Sequence, residues 1–258
     1  MSIANVNGVD IHYDLVGETG PVLVFANALG TDLVMWEPQA EAFKNEFRVL
    51  RYDMRGHGAS ASPQGPYTVE LLSRDVLALI KHLGFDKINF CGTAVGGMVG
   101  QWLGINASHK LDKLILVSTA ASVPESTFED KIKAIREKGI VDITDSMADL
   151  WFSRNFQKAS SCQPDQLRHV TIAATQEGYI ACCEAIVAAD FKADLHKINT
   201  PTLCIPGPED NLVNMAKTKE IVEQIPNSRL EIIGDGAYLI NLEQPEKFNK
   251  VLRNFLES

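Results

Sequence analysis

The chain has 258 residues, 45% hydrophobic and 22% charged, which suits one α/β domain with an insertion, able to bury its core without disulfide or metal staples. A formal net charge of −9, with no Lys/Arg cluster set against it, excludes nucleic acid and anionic lipid as favoured partners. No run reaches the roughly 18 apolar residues of a membrane span.

In chain order, Ile3 to Val16 reads as two strands turned at Asn7-Gly8, a strong hairpin dipeptide. Pro21–Phe25 and Phe47–Tyr52 are apolar runs that lead into the loops Asn27–Gly30 and Asp53–Gly58. Continuous apolar strands of this kind belong to a sheet covered on both faces. Over 69–83, Val69, Leu72, Val76, Leu79, Ile80 and Leu83 recur at steps of three and four and predict a helix, with Thr68 placed to cap it and Gly84 to end it. Lys87–Cys91 is a strand, Val95–Ile105 a helix and Leu114–Val117 a strand, an alternation that implies parallel pairing through right-handed crossovers.

From Ala121 to Leu195 only helical patterns stand out, such as Phe128–Arg136 and Gly178–Ala188, and the stretch reads as an inserted lid. The sheet pattern resumes with Thr202–Ile205, a helix over Met215–Gln224 and a strand over Leu230–Ile233. A last helix starts near Pro245 and buries Phe248, Val251, Leu252, Phe255 and Leu256. The expected architecture is a mostly parallel eight-stranded sheet flanked by helices, with the core in 1–120 and 196–258 and a helical lid in 121–195. Five cysteines, at 91, 162, 182, 183 and 204, have no metal-ligand spacing and read as reduced thiols. The start of the chain shows no basic segment followed by an apolar core, so the expected compartment is the cytoplasm.

The segment Cys91-Gly-Thr-Ala-Val-Gly-Gly97, between a strand and a helix, has the form of a nucleophile elbow, G-x-S-x-G, with Ala94 where serine belongs. Its glycines let the backbone pass a sharp turn that lifts residue 94 at the helix start. Around it stand Asn27-Ala-Leu-Gly-Thr-Asp32 with Met35-Trp36, Phe47 to Ser60 with its Arg-Gly-His-Gly, Gly65-Pro-Tyr67, Arg74 to Leu79, Gly100 to Asn106, and Gly178-Tyr179 with Cys183. On these segments the chain resembles the α/β-hydrolase fold family and, within it, the 3-oxoadipate enol-lactonases, over almost its full length.

The resemblance implies a serine–aspartate–histidine triad in chain order and hydrolysis of 3-oxoadipate enol-lactone through an acyl-serine, with no cofactor. Here the serine position is Ala94, the acid is Asp210, and Tyr238 stands where the histidine belongs. A methyl group cannot attack an ester carbonyl. A phenol, with a free pKa of about 10, is a poor base near neutral pH. The resemblance places the oxyanion donors at the backbone N–H groups of Leu29 and Val95. It also marks Val187 as standing for a lid arginine, Ala188 for an aspartate and Ala28 for a serine; the candidate pocket residues are Ala28, Trp151, Phe152 and Val187.

Three functions remain open on these residues. One is an enol-lactonase scaffold disabled as a hydrolase, either engineered or a degenerate natural copy, with the gathering of its changes around one cavity favouring deliberate redesign. Another is a non-hydrolytic enzyme that uses Tyr238 as a donor, and the third is a silent pseudoenzyme that binds a small molecule under the lid. Asp210, without an imidazole, is expected to be satisfied by Tyr238 or by nearby backbone N–H groups. His57 reads as structural, Asp53 and Arg55 as braces of their loop, and His12, His82, His109, His169 and His196 as ordinary histidines. Whether copies of the chain assemble into a homo-oligomer is left open by the sequence.

Overall fold

The computed structural model describes residues 1–143, 147, 150–159 and 174–258; Cys162 and His169 lie outside the described residues. Eight strands form one sheet: β1 (Ser2–Val6), β2 (Val9–Val16), β3 (Val22–Ala26), β4 (Arg48–Tyr52), β5 (Ile88–Thr93), β6 (Leu111–Val117), β7 (Thr202–Ile205) and β8 (Ser228–Leu230). Their order is β1-β2-β4-β3-β5-β6-β7-β8. The pairs β1–β2 and β2–β4 are antiparallel and the rest are parallel. The opening hairpin turns where Asn7 and Gly8 both take positive φ, 50° and 75°, the geometry that a tight two-residue turn requires.

Along the central strands, alternate side chains enter two separate cores. Val24, Leu50, Phe90, Leu114 and Leu116 pack on one face against α2 (Val69–His82) and α3 (Val95–Asn106). Leu23, Phe25, Val49, Cys91, Ile115 and Val117 pack on the other, against α1 (Glu37–Phe43) and the C-terminal helix Pro245–Glu257. Each large side chain fully buried in these layers contributes roughly 1.5–3 kcal/mol. In the second core Trp36 stacks on Phe25 at 4.5 Å and lies 6.2 Å from Phe248, so the C-terminal helix is keyed to the sheet through one indole.

Helix α2 is stopped at both ends by local chemistry. Thr68 Oγ1 accepts from Leu71 N at 3.0 Å, and Gly84 takes a φ of 74° beyond the last turn. Two strands differ most from the sequence reading; β3 and β5 are shifted from it by one or two residues. β6 begins at Leu111 rather than Leu114, because its pairing with β5 starts at Ile88↔Leu111 and continues at Asn89↔Lys113, with Asp112 passed over in a bulge. The last strand is Ser228–Leu230, not Leu230–Ile233: its partner β7 is short, the register runs Thr202↔Ser228 to Cys204↔Leu230, and Ile232 is left 54% exposed.

Between β6 and β7 the described part of the insertion contains α4 (Glu129–Lys138), α5 (Arg154–Ala159) and α6 (Gln176–Ala188). At its base Ser122 and Asp190 form an isolated antiparallel bridge, and Phe191 N donates to Ala121 O at 3.0 Å. Thr175 caps α6 by accepting from Gly178 N at 3.1 Å. Gly178 sits so close to Gly56 that a Cβ on it would come 2.5 Å from the Gly56 Cα, which fixes α6 against the Arg-Gly-His-Gly loop. That loop is itself braced: Arg55 makes two 2.6 Å bonds to the buried Asp75, and Asp53 accepts from Leu33 N at 2.7 Å and Ala59 N at 2.9 Å. The helix Met215–Gln224 (α7) follows β7, a short helix Ile240–Glu243 (α8) follows the loop after β8, and Pro245–Glu257 is α9.

Candidate active site

The site is built at the C-terminal ends of β3, β5 and β7. At the end of β5 the backbone passes through Ala94 at φ 54°, ψ −111°, a conformation that L-residues avoid. Several bonds hold it there. Ala94 N donates to Val117 O at 3.0 Å, and Ala94 O accepts from Met98 N at 2.9 Å and from Thr119 Oγ1 at 2.7 Å. A Cβ on Gly92 would come 2.2 Å from Gly96 O, and one on Gly96 would come 2.5 Å from Ala26 O. The turn is therefore the nucleophile elbow in full, with a methyl at its apex. Thr93, next to it, is completely buried with its hydroxyl unpartnered and does not line the cavity.

Asp210 follows β7. Its Oδ1 accepts from Leu212 N at 2.7 Å and Val213 N at 2.9 Å, while Oδ2 is buried without a well-formed hydrogen bond, the buried Ser118 hydroxyl being the side-chain donor beside the carboxylate. Half of the carboxylate is thus satisfied by backbone N–H groups. Burial pushes its pKa up to about 6, against the lowering pull of those two bonds. Tyr238 is buried in the loop after β8, and burial together with the charge of Asp210 holds its phenol protonated far above neutral pH. The loop is fastened by Glu243, whose Oε2 accepts from Ala237 N at 2.9 Å while Oε1 takes the Ser153 hydroxyl. Leu239 N also donates to Trp151 O at 3.1 Å, so the lid segment and the Tyr238 loop are bound together.

Ala94 and Tyr238 open onto one cavity of about 110 Å³ beneath the lid. Leu29, Val95 and Trp151 line it as well, and Val95, at the first turn of α3, has a backbone N–H with no acceptor inside the helix. Three candidates from the sequence do not line it. Ala28 is completely buried in the core, its N–H 3.4 Å from Met35 Sδ and its carbonyl taken by Thr31 Oγ1 at 2.8 Å. Phe152, one residue past Trp151, stacks on Phe156 at 4.9 Å instead. Val187 is half-exposed; its neighbour Ile186, about 100° away around α6, faces the cavity.

The sequence reading missed Lys131, which lines the cavity from α4 together with Phe128. Phe128 is the residue just before α4 and Lys131 lies in its first turn; in the sequence the lysine is submerged in the run Glu129-Asp-Lys-Ile-Lys133, which reads as a solvated surface. His57 lies off the cavity. Its Nε2 accepts from Gly30 N at 3.0 Å and its Nδ1 faces Arg55 O at 3.4 Å, and burial lowers its pKa, so the ring is neutral and holds the Asn27–Gly30 loop in place. Among the described residues no group of three or more His, Cys, Asp or Glu side chains is arranged to hold a metal, and no helix is long and apolar enough to cross a membrane.

Sheet order, elbow and inserted lid define the class: the chain belongs to the alpha/beta hydrolase fold family, whose sequence profile matches residues 21–245. Within that family it is an enol-lactonase-like scaffold. The 3-oxoadipate enol-lactonase 2 of Acinetobacter baylyi is 37% identical over 243 residues, covering 93% of this chain and 91% of that one. The 3-oxoadipate enol-lactonase 1 of the same organism is 33% identical over 262 residues, 99% of this chain and 96% of its own. The crystal structure of the enol-lactonase from Burkholderia xenovorans LB400 superposes with a TM-score of 0.97 at 35% identity, covering 100% of both chains.

Proposed function

We propose that this chain is an enol-lactonase scaffold disabled as a serine hydrolase, and that it holds a small molecule in the cavity beneath the lid. The observation that carries this reading is the methyl of Ala94 at the apex of an otherwise complete elbow. Loss of a serine or histidine from such a triad lowers turnover by on the order of 10⁶, leaving about 10³–10⁴ over water from binding and oxyanion donors alone. The N–H groups of Leu29 and Val95, both lining the cavity, are the donors this reading assigns to a ligand oxygen.

The two lost groups share one cavity while the elbow glycines, the strands and the helix faces stay intact, which favours a remodelled pocket, engineered or selected, over decay. Ala28 and Val187 do not add to that pattern. The buried free thiols of Cys91, Cys182, Cys183 and Cys204 favour a reducing compartment, the cytoplasm. A second reading has one observation in its favour: Tyr238 lines the cavity with its proton retained, so it is a hydrogen-bond donor to a carbonyl substrate in non-hydrolytic chemistry. Turnover of such a substrate that is lost in Tyr238→Phe would establish it.

The test of the main reading is enol-lactone and aryl-ester hydrolysis by the chain beside the double variant Ala94→Ser, Tyr238→His. The expected result is turnover by the double variant alone. Hydrolysis by the unaltered chain at the same rate would end the proposal and require another nucleophile.

A further inference from the structure

Lys131, in the first turn of α4, brings a primary amine to the cavity beneath the lid. The side chain is half-buried, and its nitrogen lies 3.5 Å from Met147 Sδ and 5.7 Å from the centre of the Phe128 ring. A thioether and an aromatic face stabilise an ammonium far less than a carboxylate does. Among the described residues no carboxylate pairs with it. Glu129 and Asp130 are exposed, one and two residues away around the helix, and do not face it. Arg136, on the same helix, shows the contrast: it reaches Glu184 of α6 at 3.1 Å. The first turn of a helix also carries partial positive charge, which disfavours a cation there. Burial pushes the Lys131 pKa down, and the Cys183 thiol, whose field reaches it, is itself pushed up to about 12 and stays uncharged.

The other polar side chains of the lining are Thr119, Thr127 and Tyr238, all uncharged. Thr119 gives its proton to Ala94 O at 2.7 Å, and Tyr238 keeps its own far above neutral pH. The cavity thus offers the amine no counter-charge, a setting that favours its neutral, nucleophilic form. Resting on the ligand-holding reading above, we infer that Lys131 captures a small neutral ketone or aldehyde as a Schiff base, with the Tyr238 hydroxyl and the Val95 N–H as donors to its oxygen. Lys131 first gives a proton to water. Its nitrogen lone pair forms a C–N bond to the carbonyl carbon while the C=O π pair moves to oxygen, and a nitrogen proton passes to that oxygen. The nitrogen lone pair then expels the oxygen, which leaves as water with the proton first released. Ammonium and ketone become iminium and water, and the step needs no oxidant, reductant or cofactor.

The test is reductive trapping. The full chain, Lys131→Met and Lys131→Arg are each incubated at pH 7 with pentan-2-one and sodium cyanoborohydride, and adducts are located by peptide mass spectrometry. The expected product is an adduct on Lys131, heavier by the ketone less its oxygen, formed at least about tenfold faster than on any other lysine. It should be absent from both variants; Lys131→Arg keeps the charge and so separates the nucleophile from the cation. Labelling spread evenly over the lysines of the unaltered chain would overturn the proposal, as would no labelling at all. An NMR titration with pentan-2-ol, which has the same shape without the carbonyl, separates that failure from failure of the ligand-holding reading. If the alcohol shifts the methyl resonances of Met98 and Ile186 but the ketone is not trapped, the cavity holds a ligand and Lys131 is not a nucleophile. If the alcohol does not bind and the ketone is not trapped, both readings fail together. The other lysines are an internal reference, so the unaltered chain decides the matter even where a variant does not fold.

Discussion

At position 94 the turn imposes a positive φ on an alanine, a residue whose Cβ disfavours that conformation. Replacing it with glycine removes a Cβ from a conformation that disfavours one, so Ala94→Gly is expected to stabilise the fold by about 1 kcal/mol. Thermal unfolding should show this as a rise of about 2–4 °C. Asp210 is a second site of uncompensated cost. Its folded pKa of about 6 lies above the 3.8 of a free aspartate, so the folded chain binds this proton more tightly than the unfolded one. Its carboxylate therefore lowers stability as pH rises from about 4 to 6, by on the order of 2–3 kcal/mol once ionised. Asp210→Asn should raise the melting temperature at pH 7, leave it nearly unchanged at pH 4, and flatten the profile between. An unchanged profile would mean that the carboxylate is better solvated than its burial indicates.

Among the elements, the Asn27–Gly30 loop depends on a residue that does not touch the cavity. His57→Ala leaves the Gly30 N–H without its acceptor, an expected loss of about 1–3 kcal/mol in chemical denaturation. The same histidine has its pKa lowered on folding, so its contribution is present above pH about 6.5 and is lost as pH falls below that value, the opposite sense to Asp210. Elements of this kind were legible in the sequence where a local rule binds one residue to one conformation. Asn7-Gly8, Thr68, Gly84 and the elbow glycines each marked a turn or a helix end that the structure contains. What depends on a distant partner was less legible. The register of β8 follows from the length of β7, and the choice of Ile186 over Val187 follows from how α6 is rotated against the core. Lys131 escaped notice because a lysine among charged neighbours looks solvated until the opposing wall is known.

At the scale of the whole molecule, Glu243 joins the lid to the loop that carries Tyr238, taking the hydroxyl of Ser153 with one oxygen and the N–H groups of Ala237 and Ser153 with the other. Glu243→Ala leaves three donors, the Ser153 hydroxyl and the N–H groups of Ser153 and Ala237, without their acceptor, an expected loss of about 2–4 kcal/mol, with faster amide exchange at Ala237 as the local readout. Unaltered exchange there would assign the fastening to the Leu239–Trp151 bond instead. The bridge between Ser122 and Asp190 has a different consequence. The strands of the sheet on either side of the insertion leave and return through one narrow stem, held by that bridge and by the Phe191–Ala121 hydrogen bond. An antiparallel bridge leaves about 5 Å between the two backbones, a gap that a tight hairpin turn spans. The insertion is thus a cassette on a single socket, and a lid from another member of the family can be grafted across Ser122 and Asp190 with the sheet order unchanged.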